Sequence, residues 1–256
     1  MLSAQERYRP PAAETFPGPA RRLVQAEPGH RMQDSERVVA HGHRDTYDRE
    51  LIGLRQRVVR MGELVATAID QAVGALARQD REAAAAVVAA DREVDAAQAE
   101  ITARIVTTIA TQSPVAIDLR FLMSLTHATY ELERIGDHAA GVARQVIKIG
   151  DVRHAGGLDE LGEMAAAILH GILLALVDLD EAAARRVAAQ DDDIDRVYHA
   201  LFQRTLERMR AEPGWIETGA HVLLAAKDLE RIGDRVTNIA EEIVLLATGE
   251  EVDLNP

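Results

Sequence analysis

The chain has 256 residues, of which 47% are hydrophobic and only 3% are aromatic, and its formal net charge is −13. This apolar content is enough to build a core, whereas the acidic balance disfavours a nucleic-acid surface, because phosphate binding needs basic patches. The absence of cysteine excludes disulfides, thiolate catalysis and cysteine-ligated zinc.

The first 43 residues are predicted to form a disordered tail. Five of the eight prolines lie between Pro10 and Pro28, and apolar residues show no periodicity in this region. The beginning of the chain also lacks the apolar segment of a secretory signal. The longest apolar stretch, residues 164–177, is shorter than the roughly 20 residues that a membrane-spanning helix needs. We therefore expect a soluble, cytoplasmic protein that inserts into no membrane.

Six helices are predicted in the rest of the chain, because apolar residues recur there at spacings of three and four. Asp80 and Asp180 are the expected N-cap residues of two of them. Pro114 and Pro213 each follow a turn signal and mark corners between helices, since proline suits the first turn of a helix. The predicted helices are 46–78, 80–112, 114–148, 158–178, 180–211 and 214–247.

The order of these helices indicates an internal duplication. Three helices are followed by a linker at residues 150–157 and then by three more helices. The two halves are residues 44–149 and 158–249. No segment alternates between apolar and polar residues for long enough to predict a strand. The predicted fold is therefore all-α, with two tandem three-helix bundles.

The hexapeptide LERIGD occurs once in each half, at residues 132–137 and 229–234. Each copy places a glutamate four residues before an aspartate, and thus on one helix face. The helix before each copy carries a similar acidic pair, within DREVD at residues 91–95 and DDDID at residues 191–195. Each copy also places a glycine inside a helix, which costs about 1 kcal/mol relative to alanine.

Counting residues from the corners at Ser113 and Pro213 brings the acidic pairs of each half to similar heights. The mismatch in the first half is about two residues, or about 3 Å at a rise of 1.5 Å per residue. We therefore expect the pairs to converge into one acidic cluster in each half. The candidate metal ligands are Asp91, Asp95, Glu133 and Asp137 in the first half, and Asp191, Asp195, Glu230, Asp234 and Asn238 in the second half.

Clustered carboxylates repel one another unless a cation lies between them, and oxygen ligands suit hard cations. One alternative is a solvated acidic face without metal, which neighbouring arginines neutralise. Gly136 and Gly233 would then be helix-packing notches only. A carboxylate-bridged oxidase or hydrolase is a further alternative, but no predicted helix carries the Glu-x-x-His spacing of di-iron bundles. The arginines in question are Arg92, Arg134, Arg196 and Arg231.

Several of these segments together resemble the PhoU family of bacterial phosphate-signalling regulators. The resemblance rests on SPVAIDLR at residues 113–120, on both LERIGD copies and on NIAEE at residues 238–242. The DREVD and DDDID segments are similar to the acidic pattern of that family. The resemblance covers about residues 44–249.

Membership of this family would imply two three-helix bundles, a homodimer and multinuclear sites for iron, zinc, magnesium or manganese on the acidic face. It would also imply a negative regulator of phosphate uptake and of the Pho regulon. The expected partners are the ATPase subunit of the phosphate ABC transporter and the sensor histidine kinase of the Pho system. The expected role is that of a non-enzymatic adaptor. The rivals are the metal enzyme and a metal-free structural scaffold.

The two halves differ beyond the last aspartate of LERIGD. Asn238 and Glu241 continue the acidic face in the second half, whereas Gly141 and Arg144 stand at the corresponding positions in the first. Because an arginine opposes a bound cation, we expect the first-half site to bind metal more weakly or with fewer ions.

Overall fold

The structure is a computed structural model that describes residues 34–149 and 157–255, with side chains from residue 47 onward. It consists of seven α-helices and one short 3₁₀ helix within these residues, and the described residues contain no strand. The first bundle contains α1 (Asp34–Arg78), α2 (Arg81–Gln112) and α3 (Ile117–Lys148). The second contains α4 (Leu158–Asp178), α5 (Glu181–Ala188), α6 (Asp191–Ala211) and α7 (Ile216–Thr248), with the 3₁₀ turn Pro213–Trp215 before α7.

Helix α1 begins at Asp34, well before the predicted start at residue 46. No proline follows Pro28 in this region, so a helix that is already nucleated extends towards the N-terminus at low cost. The predicted disordered tail therefore overlaps a helix at residues 34–43. The remainder of the predicted tail, residues 1–33, lies outside the described residues. Most of the predicted linker, residues 150–156, also lies outside them.

The predicted helix 180–211 is wrong in one respect, because it is interrupted between α5 and α6. The backbone N–H of Gln190 donates to the carbonyl of Val187 at 3.0 Å, which tightens the last turn of α5. The three aspartates that follow form the first turn of α6, where the positive end of the helix dipole favours acidic side chains. The corresponding stretch of the first half is continuous within α2.

Both predicted aspartate caps are confirmed. The Oδ1 atoms of Asp80 and Asp180 each accept a hydrogen bond from the backbone N–H three residues later, at 2.9 Å in both cases. Each side chain satisfies one of the backbone donors that the start of a helix leaves free. The same local signal therefore starts the middle helix in both halves.

Helices α3 and α7 make the most extensive contact between the two bundles. Four polar pairs cross this seam and show that the helices are antiparallel, because partners earlier on α3 lie later on α7. The pairs are His127–Glu242, Glu131–Arg235, His138–Asp228 and Gln145–His221. The two LERIGD copies consequently lie side by side at the centre of the seam.

A second seam joins the bundles through α1 and α4. Leu173 of α4 packs against Gly62 of α1, and Val73 of α1 packs against Gly162 of α4. Each helix therefore has a glycine in contact with a side chain of the other. Near these contacts, His170 Nε2 lies 3.1 Å from Asp70 Oδ2. The halves are thus joined along two helix pairs.

Within the described residues, α4 is the one helix long and apolar enough to cross a membrane by length and composition. It runs over 21 residues with the predicted bounds 158–178, and is thus longer than the apolar stretch 164–177 within it. Ten of its residues are buried, including Leu161, Leu169 and Ile172, and it packs against α1, α5 and α7. Leu174 and Val177 are exposed, whereas the buried apolar side chains of α4 belong to the core.

Candidate metal centre

The structure brings the four acidic residues of the first half close enough to influence one another. Asp91 and Asp95 lie on α2, and Glu133 and Asp137 lie on α3. Burial raises the pKa of Asp91, and the charges of Asp137 and Asp95 raise it further. Burial likewise raises the pKa of Glu133, with a further rise from Asp137. Helix rotation, which counting left open, therefore turns both pairs towards each other.

The second-half cluster is more deeply buried. Asp191 and Glu230 are only 7% and 8% exposed. Burial, followed by the charges of Asp234, Asp195 and Glu230, raises the pKa of Asp191 to about 7. Asn238 is partly buried one turn beyond Asp234 on α7. The two halves therefore share a motif but not an environment.

The glycines of the two LERIGD copies accommodate different neighbours. A Cβ atom on Gly136 would lie 3.1 Å from Val94 Cγ1, so this glycine is a notch for an apolar side chain. A Cβ atom on Gly233 would lie 2.1 Å from Asp191 Oδ1 and 3.3 Å from its Cγ. Gly233 therefore makes room for a carboxylate of the cluster itself.

Hydrogen-bond donors of the protein itself already bind some carboxylate oxygens of the second-half cluster. Lys227 Nζ lies 2.5 and 2.6 Å from the two carboxylate oxygens of Glu230. The side-chain amide of Asn255 donates to Asp191 Oδ2 and to Asp234 Oδ1, at 3.4 Å each. Sequence reasoning missed both residues. The i, i+3 spacing of Lys227 and Glu230 was a usable signal, whereas Asn255 follows α7 and carried none.

The arginines neutralise few of the cluster carboxylates, although a metal-free acidic face would need them to do so. Among the described residues, Arg134 is the one of the four candidate arginines near a cluster carboxylate, with Nε 3.9 Å from Glu133 Oε2. Arg196 instead pairs with Asp193, outside the cluster. Arg144 Nη2 donates to the backbone carbonyl of Asp137 at 3.3 Å, and its charge lowers the pKa of Asp91. Arg144 thus supplies positive charge beside the first-half cluster.

As the side chains stand, no three or more His, Asp or Glu residues within 47–149 and 157–255 are arranged to hold a metal ion. The donor chemistry of the second half nevertheless suits a hard cation, because it offers carboxylate and amide oxygens. Asp191 Oδ1 is buried and has no hydrogen-bond partner among the described residues. A buried oxygen of this kind is costly unless a donor or cation meets it. These residues fit a hard cation once Lys227 and Asn255 release the oxygens that they hold.

Comparison with known proteins identifies relatives along most of the chain. The sequence model of the PhoU domain matches residues 58–146 and 158–243. The phosphate-specific transport system accessory protein PhoU homolog of Caulobacter vibrioides (strain NA1000 / CB15N) is 34% identical over 211 residues, which are 81% of this chain and 92% of the relative. The homolog of Streptococcus pneumoniae serotype 4 is 33% identical over 215 residues, which are 83% of this chain and 100% of the relative.

Two crystal structures share the fold. PhoU from Pseudomonas aeruginosa superposes with a TM-score of 0.77 at 30% identity, covering 80% of this chain and all of that chain. The phosphate transport system regulatory protein PhoU from Streptococcus pneumoniae gives a TM-score of 0.76 at 32% identity, covering 81% of this chain and 99% of that chain. The predicted fold class of two tandem helical bundles is confirmed, and the chain belongs to the PhoU family.

Proposed function

We propose that this protein is an accessory regulator of phosphate-specific transport. It restrains phosphate uptake and the phosphate-starvation response, as a cytoplasmic, homodimeric and non-enzymatic adaptor. Its partners are the ATPase subunit of the phosphate ABC transporter and the sensor histidine kinase. Family membership supports the transport role, because the relatives are described as accessory proteins of the phosphate-specific transport system.

We further propose that the acidic clusters bind iron, zinc, magnesium or manganese. In the second half, Asp191, Asp195, Glu230, Asp234 and Asn238 would hold the ion. In the first half, Asp91, Asp95, Glu133 and Asp137 would hold one more weakly. A bound cation supplies the positive charge that lets the carboxylates of two helices stay together. The observation that carries this proposal is the unpartnered, buried Oδ1 of Asp191 within a four-carboxylate cluster.

Calorimetric titration with Mn²⁺ and Mg²⁺ tests the two sites. We expect Glu230→Ala to lose more binding than Glu133→Ala, because the second-half carboxylates are more deeply buried, whereas Arg144 places a positive charge beside the first-half cluster. The ion must displace Lys227 from Glu230 to bind there. Loss of a carboxylate ligand should weaken the stronger site by at least about tenfold. Equal losses in the two variants would contradict the inequality, and unchanged binding in both would contradict metal binding at these residues.

Deletion of the gene tests the regulatory role. We expect phosphate-starvation genes to be expressed in high phosphate when the protein is absent, because the restraint on the response is gone. Restoration by the wild-type chain is the control. An unchanged response in the deletion strain contradicts the regulatory proposal, whatever the metal titrations show.

A metal-free scaffold is the second candidate, and a specific observation favours it. Lys227 and Asn255 already satisfy several of the second-half carboxylate oxygens without any cation. Metal analysis of protein purified without an affinity tag separates the two. Metal bound in stoichiometric amounts supports the metal-binding adaptor, and its absence after purification without chelator supports the scaffold.

A further inference from the structure

The residues that follow α7 fold back onto the second-half acidic cluster. Gly249 ends α7 with a left-handed φ of 81°, which glycine adopts without strain. Leu254 then packs against the core, and its backbone N–H donates to Glu241 Oε1 at 2.9 Å. We refer to residues 250–255 as the α7 extension. It is therefore anchored at both a backbone and a side-chain contact.

The last described residue of the α7 extension contacts two of the candidate metal ligands. One nitrogen, Asn255 Nδ2, lies 3.4 Å from an oxygen of Asp191 on α6 and 3.4 Å from an oxygen of Asp234 on α7. An amide donor that bridges two carboxylates uses the lone pairs that a shared cation would use. The amide and a cation cannot both occupy this position.

In the first half, the position that corresponds to Glu241 carries a different residue with a different contact. Arg144 occupies the position that corresponds to Glu241, and it donates to the backbone of Asp137. Glu241 instead accepts from the α7 extension and so holds Asn255 near the carboxylates. The residue that distinguishes the two halves in sequence therefore supports a different donor beside each cluster. In the first half it is the guanidinium of Arg144 itself, and in the second half Glu241 supports the side-chain amide of Asn255.

We propose that the α7 extension is an internal competitor for the cation at the second-half cluster. This inference rests on the proposed function, in that the cluster takes a divalent cation. Asn255 bridges Asp191 and Asp234 in the absence of the ion and leaves when the ion binds both. Binding then frees the Asn255 side chain from the cluster, whereas Leu254 keeps its packing against the core, and removal of the ion lets Asn255 return. Cation occupancy is thereby coupled to the position of the Asn255 side chain.

The strength of the two hydrogen bonds of Asn255 sets how much this residue weakens cation binding. A hydrogen bond to a charged group contributes modestly to stability, and both bonds of Asn255 are at the long end of the range. We expect their loss to tighten Mg²⁺ binding at the second-half site by roughly threefold to tenfold.

Calorimetric titration of the full chain with Mg²⁺ tests the affinity. Asn255→Ala, and separately a chain that ends at Gly249, should both bind Mg²⁺ more tightly than wild type by the stated factor. Glu251→Ala is the matched control, because it changes an exposed residue of the same segment, and it should bind like wild type. Unchanged affinity in the first two variants overturns the proposal. Weaker affinity also overturns it, because Asn255 would then be a ligand.

The NMR signals of the Asn255 side-chain amide give a second readout that does not depend on affinity. Asn255→Ala assigns these signals by their loss. We expect them to move, on saturation with Mg²⁺, to the position of a solvent-exposed asparagine amide, because the ion takes the oxygens to which this amide donates. Mg²⁺ binding with an unchanged spectrum overturns this inference alone. Absence of Mg²⁺ binding in every variant overturns it together with the proposal that this cluster takes Mg²⁺.

Discussion

At the scale of single residues, Asp191 is the most constrained carboxylate among the candidate ligands. It lies at the start of α6, directly after the interruption of the helix, and its side chain is packed against Gly233. Its counterpart Asp91 lies inside the continuous helix α2 and is only partly buried. The same sequence position therefore has a much higher electrostatic cost in the second half.

This cost predicts a specific dependence of stability on pH in chelator. Burial and neighbouring carboxylates raise the pKa of Asp191 from 3.8 to about 7. Between these values the native state holds a proton that the unfolded chain has released, so the contribution of Asp191 to the free energy of unfolding falls as pH rises. Asp191→Asn removes this contribution. It should be more stable than wild type at pH 8 by on the order of 2 kcal/mol, with the difference vanishing below pH 4.

Urea unfolding of wild type and Asp191→Asn at several pH values between 4 and 8 measures this difference. Asp178→Asn is the control, because this residue is exposed and its charge is not among those that raise the pKa of Asp191. A constant difference between wild type and Asp191→Asn across the whole range would contradict the raised pKa.

At the scale of helix pairs, the glycines of the two LERIGD copies pack against different kinds of side chain. Helices α2 and α3 approach where Val94 fits against Gly136, which is apolar packing. Helices α6 and α7 approach where the carboxylate of Asp191 fits against Gly233, with Ile194 Cδ1 3.5 Å from the position of a Cβ atom there. The glycine in the motif thus permits close approach in both halves, but only the second uses it for a candidate ligand.

Alanine at the two glycines should separate these roles. Gly136→Ala meets Val94 at 3.1 Å but gains helix propensity, so the free energy of unfolding should stay within about 1 kcal/mol of wild type. Gly233→Ala displaces the Asp191 carboxylate, so Mg²⁺ affinity at the second-half site should fall by about tenfold. Urea unfolding and calorimetry measure the two effects. An equal loss of affinity in both variants would mean that the glycines have one shared function.

At the scale of the whole molecule, the halves are joined by a nearly symmetric seam. Each LERIGD copy is preceded by an acidic residue and followed by a basic one or a histidine. Across α3 and α7, Glu131 pairs with Arg235, and Asp228 pairs with His138. The residue before each copy thus contacts the residue after the other copy. Together with the α1–α4 seam, this arrangement predicts that the two bundles unfold as one unit.

The fluorescence of Trp215 reports on unfolding of the second half, because this single tryptophan is buried there. Leu54→Ala removes a fully buried side chain of α1 in the first half and should cost about 2–4 kcal/mol. The tryptophan fluorescence and far-UV circular dichroism transitions in urea should shift equally. Ile52→Ala, on the same helix but 58% exposed, should change stability by less than about 0.5 kcal/mol. A fluorescence transition that stays in place while the dichroism transition moves would mean that the bundles unfold separately.

Much of the fold could be predicted because its signals are local. The spacing of apolar residues, the aspartate caps and the turns near Pro114 and Pro213 act over a few residues, so the order of the helices followed from them. Their number followed too, except that the predicted helix 180–211 is divided into α5 and α6. The interruption before Asp191 was not predicted, because the helix propensity of this stretch is ordinary. The start of α1 was also missed, since helix extension over a polar segment leaves no apolar pattern.

The sequence alone determined the duplication, the helices and the heights at which the carboxylates lie, because rise per residue and i, i+4 spacing are properties of any helix. Only the tertiary structure decided how far the helices are rotated, how deeply each cluster is buried and which donors reach it. Those depend on contacts between residues distant in the chain, as for Asn255 with Asp191 or Glu131 with Arg235. Two copies of one hexapeptide thereby acquire different electrostatic surroundings.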